Sequence, residues 1–135
     1  MRIKKIKRIS LIFIFAFFFN AVWENLHSVL YVHYLHKPIT ESVLLHAALV
    51  DAGFITLITF PFVFIRRAQK HPWLIIPLGL AVAIGIERWA LAIHRWAYTT
   101  QMPIIPHIFV GLTPTIQLAL LGYLSFVLSK RMTRK

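Results

Sequence analysis

The chain has 135 residues, 59% of them hydrophobic and 14% charged, with no cysteine and a formal net charge of +11. The absence of thiols excludes disulfides, thiolate metal sites and cysteine nucleophiles. A soluble core could not hide this much apolar surface, and the basic excess sits in clusters beside apolar runs, the topogenic pattern of a membrane protein; nucleic acid is not expected as a partner, because no base-reading module accompanies the charge.

Met1 to Arg8 carries Arg2, Lys4, Lys5, Lys7 and Arg8, and an apolar run follows from Ile9 to about Val32. It opens like a signal peptide, but no small-x-small cleavage site follows Phe19. The run continues past Trp23 for ~20 residues, so it reads as an uncleaved first span over 9–32. Pro38 blocks helix propagation in the polar connection. The second span covers 42–65, carries His46 and Asp51, and has Pro61 near its end. Arg66 to Lys70 is a short basic loop. The third span covers 73–97, with Pro77 in its first turns, where a missing N–H is tolerated. Met102-Pro103-Ile104-Ile105-Pro106 is expected to be extended. The fourth span covers 108–128, its first turns loosened by Gly111 and Pro114, and a basic tail closes the chain.

The expected fold is therefore all-α, a single four-helix transmembrane domain over 1–135. The first tail has five Lys and Arg, the 66–70 loop three and the last tail four. Counting them places both termini in the cytoplasm, with the chain in the cytoplasmic (inner) membrane of a bacterium.

Each span carries a polar group about eight or nine residues from its outer end: Glu24, Asp51, Glu87 and Gln117. At 1.5 Å per residue all four lie ~12–14 Å deep, near the middle of the hydrocarbon layer. Asn20, Glu24, His27 and Tyr31 share one helical face, and so do Glu87, His94 and Tyr98; Arg88 and Arg95 form a parallel row about 100° round the third helix. Ala47 and Ala48 allow close helix approach beside Asp51, whereas His46 points away from it. Three anions in hydrocarbon would repel one another. Arg88, the one deep cation, is expected to neutralise Glu24 or Asp51 through a bidentate pair, which leaves Glu87 free to hold a proton as a general acid. The alternative is that these groups merely hydrogen-bond the helices together, but intramembrane ionisable residues are by default a functional hypothesis.

Other chemistry is thinner. His33 and His36 read as surface histidines rather than a zinc pair, and no metal is expected. His27 and His94 lie on polar faces of two helices and could clamp a haem, but no cofactor is assigned. Gly79, Ala83 and Glu87 form a small-residue row that reads first as packing. No phosphate-binding loop, serine-nucleophile elbow or HExxH is present.

Asn20-Ala-Val-Trp23-Glu24, Glu87-x-Trp89-Ala-Leu, Arg95-Trp96-x-Tyr98, Met102-Pro103-x-Ile-Pro106 and Gly111-Leu-Thr-Pro114-x-x-Gln117 resemble the motifs of a family of small four-helix bacterial membrane proteins. That likeness covers most of the chain and implies no particular activity. The Asn-x-x-Trp-Glu stretch is also similar to one in integral-membrane terpene cyclases. Those enzymes, with the emopamil-binding-protein isomerases and small lycopene cyclases, use intramembrane carboxylates to protonate an alkene. The similarity implies Glu24 and Glu87 as acids, with Trp23 or Trp89 stabilising a carbocation through its ring face. The chain is shorter than the seven-helix cyclases and lacks the Pro-x-Glu-Glu pair of the lycopene enzymes.

The leading expectation is a small membrane enzyme acting on an isoprenoid or other lipid by proton transfer. Glu24, Glu87, Asp51 and Arg88 would be catalytic, and Asn20, Trp23, His27, Trp89, His94, Tyr98 and Gln117 would line the substrate site. The alternative is a non-enzymatic protein, either a proton-coupled carrier, for which four helices would call for a homo-oligomer, or a subunit of a membrane complex.

Overall fold

A computed structural model describes residues 1–134. The chain is mostly helical, in the order α1 (Arg2–His27), β1 (Tyr31–Tyr34), α2 (Glu41–Phe64), α3 (Arg66–Gln69), α4 (Ile75–Ala92), β2 (Trp96–Tyr98), β3 (Ile104–Ile105), β4 (Val110–Gly111) and α5 (Leu112–Arg134). Short 3₁₀ turns, Ser28–Leu30 and Pro72–Leu74, follow α1 and precede α4. Four helices are long and apolar enough to cross a membrane. Their outward faces carry large apolar side chains, such as Phe18, Leu26 and Leu57 at 63%, 74% and 71% exposure.

The α2 helix starts where expected, because the Thr40 hydroxyl caps it by accepting the Val43 N–H at 3.4 Å. Pro61 lies in its last turns. Hydroxyls inside the helices turn back on the carbonyl one turn earlier: Thr56 to Ala52, Thr59 to Ile55 and Ser125 to Leu121, at 2.7, 2.8 and 2.7 Å. Each such bond satisfies a polar group that an apolar setting would otherwise leave stranded.

The core lies between α1, α2, α4 and α5 and is built from Ile12, Ala16, Ile55, Phe62, Ile75, Leu118 and Phe126. Gly79 is where α4 and α5 come closest: a Cβ there would stand 2.7 Å from the Ala119 Cα. The small-residue row at Gly79 and Ala83 is thus a packing seam, since only hydrogen fits at Gly79.

The third span is shorter than expected. The α4 helix stops at Ala92 rather than continuing to Ala97. Arg95 N–H bonds the Ala90 carbonyl at 2.8 Å and His94 N–H the Leu91 carbonyl at 3.2 Å. His94 has φ 56°. This is a Schellman ending with histidine in the left-handed position usually held by glycine. The chain then returns antiparallel as β2 and pairs with β1, Tyr31 opposite Tyr98 and Tyr34 opposite Trp96. The ends of the first and third spans, and Ile108 to Gly111 before the fourth, are therefore a cap of short strands. In the cap β3 pairs with β4, Ile104 opposite Gly111. The Met102–Pro106 stretch is extended only in part, at Ile104 and Ile105.

Candidate functional site

The polar residues meet on the capped side of the bundle, with Asp51 near the middle of α2. Glu24 lies in the last turn of α1, Glu87 in the last two turns of α4 and Gln117 in the second turn of α5. Gln117 is the hub. Its Nε2 lies 2.8 Å from Asn20 Oδ1, 2.7 Å from Glu24 Oε1 and 3.0 Å from Asp51 Oδ2, so one amide joins three helices. Asn20 is fully buried, its own amide donating to the Ala16 carbonyl at 2.7 Å.

Glu24 has a histidine partner. His27 Nε2 stands 3.2 Å from Glu24 Oε2, and His27 Nδ1 stands 3.1 Å from Thr113 Oγ1. Among the described residues, no other basic side chain stands within 4 Å of a carboxylate. The expected partner, Arg88, is exposed on the outer side of α4 and reaches neither Glu24 nor Asp51. Position 88 follows Glu87 by one residue, about 100° round the helix, so burying one side chain turns the other out.

Glu87 is held from the cap. Its Oε2 accepts Trp96 Nε1–H at 3.2 Å and the Tyr98 hydroxyl. Tyr98 also accepts the Gly111 N–H at 3.0 Å, so one phenol ties the carboxyl to β4. Burial, and then the Glu87 carboxylate beside it, hold the Tyr98 phenol well above its ordinary range. Tyr98 thus reaches Glu87 as expected, but through a returning strand rather than along a helical face.

Glu24, Asp51, Glu87 and Gln117 line one cavity of about 410 Å³. Its walls are mostly apolar, with Val50 and Phe54 from α2 facing Ile86 and Trp89 from α4. Trp89 and His46 are exposed at its edge, so the cavity opens sideways between α2 and α4 as well as toward the cap. His46 therefore shares the cavity with Asp51 instead of pointing away from it. Ala47 lines the cavity too, while Ala48 packs fully buried behind it.

Of the other expected site residues, Asn20, His27 and Tyr98 bond the cavity's polar groups without lining it, Arg88 faces outward, and Trp23 and His94 lie elsewhere. Trp23 packs against the core behind the cavity, its indole N–H buried without a protein partner. His94 is exposed in the turn after α4 and shares no face with Glu87. That separation also dismantles the haem clamp, since both nitrogens of His27 are already engaged by Glu24 and Thr113. Among the described residues, no three His, Cys, Asp or Glu side chains gather closely enough to hold a metal ion. His33 and His36 stack on one another at 4.7 Å in the cap.

Other site residues were not anticipated. Trp96 and Tyr31 line the cavity, and so do Tyr34, His33 and Arg95. They come from the β1–β2 pair and, for Arg95, the residue before it, which periodicity cannot show when both segments read as helix ends. Comparison with protein-family models, characterised proteins and solved structures finds no match for this chain.

Proposed function

We propose that the protein is a multi-pass membrane protein of the bacterial cytoplasmic membrane, with both termini in the cytoplasm, and that its cavity performs proton transfer on an isoprenoid or other lipid. The four apolar helices, their apolar outer faces and the three basic clusters at one end support the membrane placement. The observation that carries the reaction is the convergence of Glu24, Asp51 and Glu87, from three helices, on one largely apolar cavity with a sideways opening. Ionisable groups are expensive in such a place, and a carboxyl there can donate or accept a proton without competition from bulk water.

One amide nitrogen cannot serve three oxygens with two hydrogens. A proton held between Glu24 and Asp51 completes the set and keeps two like charges from facing one another. Glu87, across the cavity, is oriented by Trp96 and Tyr98. In the proposed reaction one carboxyl protonates an alkene carbon, making a C–H bond from the π electrons and leaving the cation on the neighbouring carbon. A carboxylate opposite then removes a proton from the next carbon, and the double bond re-forms one position along. Proton number is conserved and no oxidant is needed. Trp96, Trp89 and Tyr31 line the same space, and aromatic rings favour a passing cation. The Thr113–His27–Glu24 contacts give the spent acid a hydrogen-bonded route toward the capped end.

The test is a comparison of lipid extracts from cells with and without the gene, and from cells carrying Glu24→Gln or Glu87→Gln. A double-bond isomer or cyclised product present only with the unmodified protein is expected, and each substitution should reduce it at least a hundredfold. Identical lipids in all strains would count against the reaction.

A further inference from the structure

The mouth of the cavity has a chemistry of its own. Four acidic residues occur in the whole chain, Glu24, Glu41, Asp51 and Glu87. None pairs with Arg95, although this guanidinium is only partly exposed and lines the cavity. Arg95 is held in place by neutral groups. Its Nη2 donates to the Tyr34 hydroxyl at 2.6 Å, and its Cζ lies 5.2 Å from the Tyr34 ring centroid and 5.7 Å from that of Trp89. Because the Tyr34 oxygen accepts from Arg95, its own proton is left to donate. His33 behaves likewise. Its Nδ1 accepts the His36 N–H at 3.1 Å, which in the neutral ring puts the proton on Nε2. Arg95, Tyr34 and His33 thus offer donors on one cavity wall, and none of them is bonded to a carboxylate.

The backbone there is set by force. Leu35 and His36, between Tyr34 and Lys37, have φ 51° and 59°. Tyr34 and Lys37 exchange two N–H···O bonds at 3.0 Å. This is a two-residue hairpin of the kind that calls for Asn-Gly, made instead with a leucine and a histidine. Leu35 N–H also bonds the Arg95 carbonyl at 2.7 Å. Strain of this sort persists where the surroundings over-determine it, as binding sites do.

We infer that this mouth binds the phosphate head of a single-chain phosphoester, whose apolar chain runs into the cavity toward Glu87 and out between α2 and α4. A guanidinium with hydroxyl and imidazole donors, itself bonded to no carboxylate, complements a phosphate oxyanion. The 410 Å³ volume suits a head group and the start of one chain rather than a two-chain lipid. The inference rests on the lipid-site reading above and names the substrate class for it.

The full-length protein in neutral-lipid nanodiscs is titrated with dodecyl phosphate, dodecanol or inorganic phosphate, and the fluorescence of Trp89 and Trp96 is followed. Dodecyl phosphate should bind at least tenfold more tightly than dodecanol and than inorganic phosphate. Arg95→Gln should weaken dodecyl phosphate about tenfold and leave dodecanol unchanged. Arg95→Lys, which keeps the charge, should fall between and guards against a folding defect. Equal binding of phosphate and alcohol, or an unchanged preference in Arg95→Gln, overturns the inference. Inorganic phosphate binding as tightly as dodecyl phosphate also overturns it, since the chain would then contribute nothing. The lipid-extract comparison above separates the two proposals, because dodecyl phosphate binding is read without any lipid conversion. If dodecyl phosphate binds as expected while no lipid is converted, the proton-transfer reading fails and the head-group site stands.

Discussion

On one flank α4 meets α5 so closely that a Cβ on Gly79 would touch the Ala119 backbone at 2.7 Å; on the other, Ile86 and Trp89 face Val50 and Phe54 across about 410 Å³ of open space. The same helix is sealed by small residues on one side and held away from its neighbour on the other. The strands of the cap account for the difference. Trp96 and Tyr98 anchor the end of α4 through Glu87, and the β1 pairing ties that anchor to α1 rather than α2. Only on the open flank do charged groups line the space, so rigidity and chemistry are divided between the two sides of one element.

Closing the wrong side tests this most severely. Gly79→Leu must push α4 off α5 and should cost about 3 kcal/mol or more in a denaturation titration in mixed micelles. A loss under about 1 kcal/mol would mean the seam yields easily. Next in size is Gln117→Leu, which removes the donor shared by Asn20, Glu24 and Asp51. The same titration should register a loss of about 1–3 kcal/mol, because buried acceptors are left unserved; a neutral outcome would mean that these side chains do not meet.

At the mouth the effect should reverse in sign. Replacing Leu35 and His36 together with Asn and Gly supplies the residues that positive φ prefers and should stabilise the protein by about 1 kcal/mol. No gain would argue against the left-handed pair. The smallest effect concerns pH. The folded protein holds the Tyr98 proton above the ordinary value of 10.0. That contribution is therefore complete below pH 10 and declines as pH rises further. The margin of the unmodified protein over Tyr98→Phe should stay constant from neutrality to about pH 10 and shrink above it. A margin that grew with alkaline pH would place the phenol elsewhere.

How far the residues announce this arrangement varies along the chain. The second span was legible nearly to its ends, because Thr40 caps it and a basic loop follows it. The end of the third span was not, because the signals that usually mark a stop, glycine or proline, are absent and His94 takes the left-handed position in their place. From that one misplacement follow the others. Helical periodicity carried past Ala92 puts His94 on the face of Glu87 and Arg95 in a row with Arg88, and gives no sign that Trp96 reaches a carboxylate. The carboxylates themselves were legible, since so few ionisable groups occur in apolar sequence and the helical spacing of Asn20, Glu24 and His27 is regular. Which cation would answer them was not. Burial of Glu87 turns Arg88 outward, and the neighbour that Glu24 meets is His27.

Deuterium transfer examines the claim that three carboxyls act together on a lipid in one cavity. The purified protein is incubated in D₂O with vesicles made from total bacterial lipid, and the lipids are then analysed by mass spectrometry. The account predicts deuterium bound to carbon in one lipid species with the unmodified protein, and none with Glu24→Gln or Glu87→Gln. Folded, unmodified protein that leaves every lipid free of carbon-bound deuterium would contradict it.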